Sequence, residues 1–318
     1  MAADVTETQF SERAERHRRE LHVHCYRMLG SFDEAEDLVQ ETLLRAWRRR
    51  DSLERDEWFR AWLYRIATNA CLDHIKAKGR RVASLDSFQD VPWLQPYPDR
   101  LLEEVAPAGD EPDAAVVGRE TIELTFLAVI QLLPPRQRAV LILRDVLDWP
   151  ATDVAEVLEI GVAAVNSAHQ RARATLRDHL PAERREDWRS PEVSAAERAV
   201  LDGFIAAHER GDTDATLAML REDIRVTMPP NPLTFEGIEA VRGLGERARE
   251  MGGWRLVPIR ANRQPAAASY HRARGDDTFR AYKIDVLRVV DGQIAEITTF
   301  SASLFPAFGL PPTLPDDP

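Results

Sequence analysis

The chain has 318 residues and a formal net charge of −11, with 44% hydrophobic and 30% charged residues, and an isoelectric point near 5.3. At roughly 150 residues per domain, that length predicts two or three domains of ordinary globular composition. The acidity excludes indiscriminate DNA binding by the whole chain. No window approaches the roughly 18 uncharged apolar residues of a membrane span, and no signal-peptide pattern opens the chain, so a cytoplasmic protein is expected.

Residues 1–30 read as polar and then helical, with Phe10, Ala14, Leu21, Tyr26 and Leu29 on one first helix. His17, His22, His24 and Cys25 invite a metal reading, but the HVHC spacing points neighbours to different helix faces and no second ligand cluster follows, so no metal is expected. Cys25 and Cys71 fall in helical patterns, as reduced, buried thiols would. From Asp33, the residues Ala35, Leu38, Val39, Thr42, Leu43, Ala46 and Trp47 form one apolar stripe of helical period. Asp33, Glu34, Glu36 and Asp37 crowd its first turn, where the helix dipole favours carboxylates. A second helix follows on Phe59, Trp62, Leu63, Ile66, Ala67, Ala70, Cys71 and Ile75. Between Arg60 and Arg81, six cations face the single acid Asp73, a local +5 in an acidic chain. Cations beside Trp and Tyr suit a strand of nucleic acid, tracking phosphates while aromatic faces take up bases.

DEAEDLVQETLLRAW followed by FRAWLYRIATNACLDHIKAKGRR resembles region two of the extracytoplasmic-function (ECF) sigma factors, promoter-recognition subunits of bacterial RNA polymerase. The resemblance implies that the acidic helix docks on the clamp coiled coil of core polymerase through Asp37, Gln40 and Glu41. It also implies that Arg60, Arg65, Asn69, Lys76, Arg80 and Arg81 contact the opened minus-ten element. Periodicity alone equally describes a helical bundle with a charged face. The first domain is taken as 1–81.

Residues 82–118 read as an acidic, proline-rich linker. Between Asp86 and Glu120 nine acids oppose Arg100 and Arg119. Extended at about 3.3 Å per residue, it would span roughly 120 Å, enough to join DNA sites about 70 Å apart. The resemblance implies a path through the polymerase active-site and RNA-exit channel; a solvated spacer is the plainer alternative. Within it, Trp93 to Glu104 (WLQPYPDRLLEE) is too aromatic for a spacer and resembles a sigma subgroup bearing an extra C-terminal domain.

Helical periodicity returns at 119–182. Leu132-Leu133-Pro134-Pro135 ends one helix and Arg136–Leu147 forms another. Thr152 is a plausible N-cap for the next, Glu159-Ile160-Gly161 turns, and Val162–Leu180 is a long helix. This is the helix-turn-helix pattern. LPPRQRAVLILRDVLDW before it resembles sigma region four, implying contacts with the polymerase flap and the minus-thirty-five element. Ala163, Ala164, Asn166, Ser167 and Gln170 would read bases, and Arg171, Arg173 and Arg177 would hold phosphates. The chain departs from the family in Asn166, Ala168 and Glu159, and in His169 at a usually apolar place.

After a charged connector, residues 195–300 change character. Helices at Ala195–Glu209, Thr213–Leu220 and Ile238–Glu250 accompany strands at Ile224–Met228, Trp254–Ile259, Ala266–Arg272, Phe279–Val290 and Gln293–Phe300, with Asp291-Gly292 as a hairpin turn. The order resembles the SnoaL-like, polyketide-cyclase-type cone fold, so the expected architecture is two all-α sigma domains followed by an α+β cone with a curved antiparallel sheet. That resemblance implies a pocket. Its candidate walls are Met228, Trp254, Tyr270, His271, Tyr282 and Phe300, and Asp223, His208, His271 and Asp285 are candidates for an acid–base pair. Packing, ligand sensing and catalysis all remain open there. The tail 301–318 carries Leu304, Phe305, Phe308, Leu310 and Leu314 among prolines. It should lie in a groove between domains or seal the open end of its own cone.

The expected function is therefore an initiation factor with no catalytic residues and no cofactor, binding core polymerase and promoter DNA and restrained in cis by its C-terminal domain. No membrane partner is expected, and a small-molecule ligand of that domain is a candidate partner. The alternatives are a regulator fused to a catalytic cone domain and a plain helix-turn-helix activator. A plain activator would have no use for the acidic clamp-binding helix.

Overall fold

The computed structural model describes residues 7–53, 55–80, 91–103, 122–180 and 193–315. They fall into two compact units, one drawn from Met1–Leu85 with Leu101–Ser190 and the other from Asp86–Arg100 with Pro191–Pro318. Arg81 and most of the 82–118 stretch lie outside the described residues.

The first unit is helical. Its helices are α1 (Glu7–Glu15), α2 (Arg18–Leu29), α3 (Phe32–Arg48) and α4 (Phe59–Lys78); a short α5 (Asp99–Glu103) lies where the two units divide. The single N-terminal helix expected from the sequence is two, broken at Arg16–His17. The bend lets Phe10 reach back to Trp47 and Phe59, with ring centroids 5.4 and 5.6 Å away. In α2 every residue from Leu21 to Leu29 is buried. Gly30, left-handed at φ 73°, ends it with an N–H on the Tyr26 carbonyl at 2.7 Å. Ser31 then caps α3 by accepting from the Glu34 N–H.

The rest of this unit comprises α6 (Leu124–Gln131), α7 (Pro135–Leu141), α8 (Ala151–Leu158) and α9 (Val162–His179). The helix expected through Leu147 instead turns π-type over Ile142–Val146 and stops at Asp148, left-handed at φ 53°. Thr152 is not a cap. Pro150 occupies that position, its carbonyl accepting from Asp153 and Val154, and the Thr152 hydroxyl bonds to the Asp153 carboxylate. Arg138 is buried without a carboxylate. It donates to the Met28, Ile130, Gln131 and Leu133 carbonyls and to Gln131 Oε1, so α2 and the α6–α7 turn share one guanidinium. Burial, with the charge of Arg80 behind it, lowers its pKa to about 9.

The second unit places α10 (Ala195–Glu209), α11 (Thr213–Ala218) and α12 (Ile238–Met251) on a sheet. The strands are β1 (Leu220–Met228), β2 (Asn231–Glu236), β3 (Gly252–Ala261), β4 (Gln264–Ala273), β5 (Thr278–Val290), β6 (Gln293–Ser301) and β7 (Thr313–Pro315). Their order is β2-β1-β6-β5-β4-β3, with β7 on the start of β5. The sheet is largely antiparallel, and β1 runs parallel to β6. Strand β2 escaped the sequence reading because Pro229, Pro230 and Pro232 read as breakers; it is an edge strand, where proline is tolerated. Both tight hairpins use paired left-handed residues, Asn262-Arg263 at φ 56° and 60° and the expected Asp291-Gly292 at φ 51° and 77°. Gly252 is obligatory: a Cβ there would sit 2.2 Å from the Arg272 carbonyl, so only glycine lets α12 run straight into β3.

One sheet face packs Leu256, Ala267, Leu287 and Ile297 against Leu201, Phe204 and Val241 of the helices. Successive strand residues alternate sides, so the other face presents Tyr270 to one of two further segments that pack on this unit. The tail is one. Phe305 stacks edge-on to Tyr270 at 5.1 Å, the Tyr270 hydroxyl donates to the Pro311 carbonyl, and β7 pairs with Thr278–Arg280. Through these contacts the described tail seals its own sheet.

The other segment is Val91–Arg100. Pro98 bridges Ala261, and Tyr97 and Asn262 exchange hydrogen bonds. The Arg263 N–H donates to Asp99, and Arg100 donates to the Ala307 carbonyl. Val91, Leu94 and Tyr97 are fully buried. Part of the expected linker is thus built into the second unit.

Candidate functional site

Three surfaces and a cavity in the second unit collect most of the residues singled out from the sequence. On α3, Asp37 and Gln40 are exposed, while Glu41 is half-buried and receives an ion pair from Arg45 at 2.7 Å. The spacing continues to Leu44, which is 52% exposed. Residues 37, 40, 41 and 44 follow i, i+3, i+4, i+7, so one ridge carries acid, amide, acid and a bare leucine. Leu44 lies outside the apolar stripe read from the sequence, and a leucine carries no polar group that would mark it as a contact.

On α4 and just beyond its end the six cationic and amide candidates divide. Lys76 and Asn69 are exposed, and Arg65 is half-buried. Arg60 is held by Glu20, Nη2 to Oε2 at 2.8 Å, and Glu20 also accepts from the Tyr64 hydroxyl and pairs with His17. Burial alone would raise the Glu20 pKa; the hydrogen bonds from His17 and Arg60 outweigh it and hold the carboxyl low. Arg80 forks onto Glu34 at 2.5 and 2.6 Å. Arg65 and Asn69 line a small cavity of about 100 Å³ with Arg45, Arg49, Ser52 and Glu159. Arg81 lies outside the described residues.

The helix-turn-helix is formed by α8 and α9, with Glu159 left-handed at φ 53° where glycine is usual. Val165, Ala168, Ala172 and Leu176 are buried on one side of α9. Ala163, Ala164, Asn166, Ser167, Gln170, Arg171, Arg173 and Arg177 are all exposed on the other. His169, the residue out of pattern, pairs with Asp145 at 2.6 Å, and Arg173 lies 3.6 Å from the same carboxylate.

In the second unit, a cavity of about 660 Å³ opens between the sheet, α10 and α12. Met228, Trp254, Tyr282 and Phe300 line it, as do His208 and Asp285. Tyr270 faces the tail instead, because it alternates to the other side of β4. The His271 ring stacks 4.8 Å from that of Trp254 and does not line the space. Asp223 is exposed and forked by Arg221. Asp285 is fully buried, bound by Lys283 at 2.9 Å and the Thr299 hydroxyl at 2.7 Å. Lys283 and Thr299 were missed, although Lys283 stands two residues from Asp285, the spacing that puts strand residues on one face. His208 Nε2 is buried with no hydrogen-bond partner; burial and then the Lys283 charge depress its pKa to about 4.

Among the described residues no group of three His, Cys, Asp or Glu is arranged to hold a metal. His24 bonds to the Thr68 hydroxyl at 2.9 Å and His22 packs edge-on to Phe32. Among the described residues, no helix is long and apolar enough to cross a membrane.

Family models match in three places: Sigma-70 region 2 over residues 14–81, Sigma-70 region 4 over 123–176, and the SnoaL-like domain over 201–297. The chain is 38% identical to the ECF RNA polymerase sigma factor SigG of Mycobacterium tuberculosis, covering 98% of this chain and 86% of the relative. With the ECF RNA polymerase sigma factor SigJ of the same organism it shares 30% identity over 69% of this chain and 64% of the relative. The crystal structure of Mycobacterium tuberculosis SigJ superposes with a TM-score of 0.63 at 24% identity, over 95% of this chain and 99% of that one, a likeness of fold.

Proposed function

With the chain belonging to the ECF RNA polymerase sigma factors, we propose that it binds core polymerase, recognises and opens specific promoters, and is restrained in cis by its C-terminal domain. Sigma factors act without chemistry of their own, by binding the polymerase and DNA. In this reading α3 meets the clamp through Asp37, Gln40, Glu41 and Leu44. The exposed Lys76 and Asn69, with Arg65, meet the opened minus-ten strand, and the open face of α9 enters the major groove at the minus-thirty-five element. Arg60 and Arg80, engaged with Glu20 and Glu34, serve first to brace α4 against α2 and α3.

The observation that carries the restraint is the docked strap Val91–Arg100. It belongs to the stretch joining the two DNA-binding modules, yet it contributes a β-bridge and buried aromatic and apolar groups to the second unit. A strap held there cannot also run extended between two promoter elements. The C-terminal domain therefore opposes the extended arrangement that promoter engagement needs.

Run-off transcription with core polymerase tests both halves, comparing the full chain, residues 1–190, and full-length Asn262→Gly. All three should associate with core enzyme. Release of the strap should raise promoter-specific transcript several-fold over the full chain. No transcript from any of them would remove the initiation reading; equal or lower transcript from the released forms would remove the restraint.

A further inference from the structure

The cavity of the second unit has an apolar mouth that water should not favour. Of the six large hydrophobic residues standing exposed among the described residues, three, Leu233, Met251 and Tyr282, line this one cavity. Exposed apolar groups gathered at one opening mark a binding site more often than chance. The interior continues the character with Phe204, Leu217, Val226 and Ile297. Its volume lies within the roughly 300–1,000 Å³ of small-molecule sites.

The polar groups inside say which head group it would accept. Asp285 and Lys283 neutralise one another at 2.9 Å, and Thr299 takes a further lone pair of the carboxylate. His208, uncharged near neutral pH, leaves Nε2 buried and without a partner. Arg210, Arg247 and Arg249 and the acids Glu209 and Asp212 also belong to the lining but are exposed, where solvent and salt blunt their pull, and both acids already accept backbone N–H groups. A carboxylate entering the interior would bring a charge with no free counter-ion, and an ammonium would find Asp285 already taken; either would be costly to bury. A neutral oxygen, in contrast, would give His208 the hydrogen bond it lacks and could share the remaining Lys283 protons.

We propose that this cavity binds an uncharged, mostly apolar small molecule with one oxygen head group of the alcohol or ketone kind, seated against His208 and Lys283. This deepens the regulatory reading above and rests on it for its biological meaning. The two features lie on neighbouring, paired strands. Lys283 and Asp285 on β5 line the cavity, while Tyr270 on β4 faces the tail and the β3–β4 turn holds the strap.

The full-length chain should bind the uncharged fluorophore N-phenyl-1-naphthylamine at one site. Three competitors of equal chain length then report the head group: decan-1-ol, decanoate and decylammonium. Decanol should displace the probe at concentrations at least tenfold lower than either charged competitor. Leu233→Ser with Met251→Ser, both exposed and so neutral to folding, should weaken the probe about tenfold. His208→Phe, which keeps a ring but no nitrogen, should leave the probe bound and erase most of the decanol advantage. Equal or better displacement by decanoate or decylammonium, or probe binding indifferent to the mouth substitutions, would overturn the proposal. Neither polymerase nor DNA is present, so failure here leaves the strap reading untouched, and failure of the transcription test leaves this one standing.

Discussion

Tyr97 and Asn262 hold one another by two hydrogen bonds: the Tyr97 N–H donates to Asn262 Oδ1 at 2.7 Å, and the Asn262 N–H donates to the Tyr97 carbonyl at 3.0 Å. Both residues are fully buried, and Asn262 is left-handed at φ 56°. Asparagine suits the place twice, tolerating the backbone and supplying the acceptor.

Substitutions at Asn262 separate those two contributions. Asn262→Gly keeps the backbone but leaves the Tyr97 N–H without its acceptor, which should cost about 1–3 kcal/mol of strap docking. Asn262→Asp keeps the backbone and the acceptor but brings a carboxylate into a fully buried place, so it too should loosen the strap at neutral pH. Amide exchange at Leu94–Tyr97 is the readout. Protection retained in the glycine variant would mean that the strap is held by its apolar groups alone.

The α3 ridge makes a prediction about core polymerase. Leu44→Ser removes an exposed apolar group and should leave the melting temperature unchanged. It should nonetheless weaken polymerase binding about tenfold, or ~1.4 kcal/mol. Replacing Asp37, Gln40 and Glu41 together by alanine should abolish co-purification with core enzyme. Undiminished binding by the triple variant would assign the contact elsewhere.

Arg80 and Lys76 should answer differently to loss of charge. Arg80 is paired with Glu34 and half-buried, so Arg80→Ala should lower the melting temperature by several degrees, the effect of about 1–3 kcal/mol. Lys76 is exposed, so Lys76→Ala should leave stability alone and reduce the salt slope of promoter binding by about one counterion. A loss of slope with Arg80→Ala equal to that of Lys76→Ala would show that Arg80 leaves Glu34 for a phosphate.

The helical unit should be acid-sensitive through His24. Burial, with the Arg27 charge second, depresses its pKa from 6.5 to about 3. The unfolded chain therefore binds a proton that the folded one refuses, and stability falls as pH drops below about 6.5, continuing towards 3. The full effect is on the order of 5 kcal/mol by linkage, and His24→Gln should remove that share of the slope. Denaturant unfolding of the full chain at pH 7, 5.5 and 4.5, read by amide exchange in α2, measures it. An unchanged pH dependence in the variant would place the acid sensitivity on other groups.

Much of this protein was determined by local pattern. The apolar stripe from Ala35 to Trp47, the helix Ala195–Glu209 and the Asp291-Gly292 turn could be read from residue spacing, because a helix face, a capping box at Ser194 and a left-handed pair are each specified within a few residues. The exposed side of α9 followed from the same arithmetic. What tertiary structure alone decided is pairing across long sequence separations. Glu20 could not be matched to Arg60, nor Glu34 to Arg80, at separations of 40 and 46 residues, so cations that read as free are engaged. Composition made Val91–Arg100 a linker, since prolines and acids say nothing of a turn 165 residues away that takes up Tyr97. Alternation sent Tyr270 to the tail and Asp285 to the cavity, and only the sheet's folding, with Lys283 and Thr299 closing on that carboxylate, fixed which face holds the space. Local propensity acts over a turn or two of chain; burial is settled by whatever the rest of the chain brings alongside.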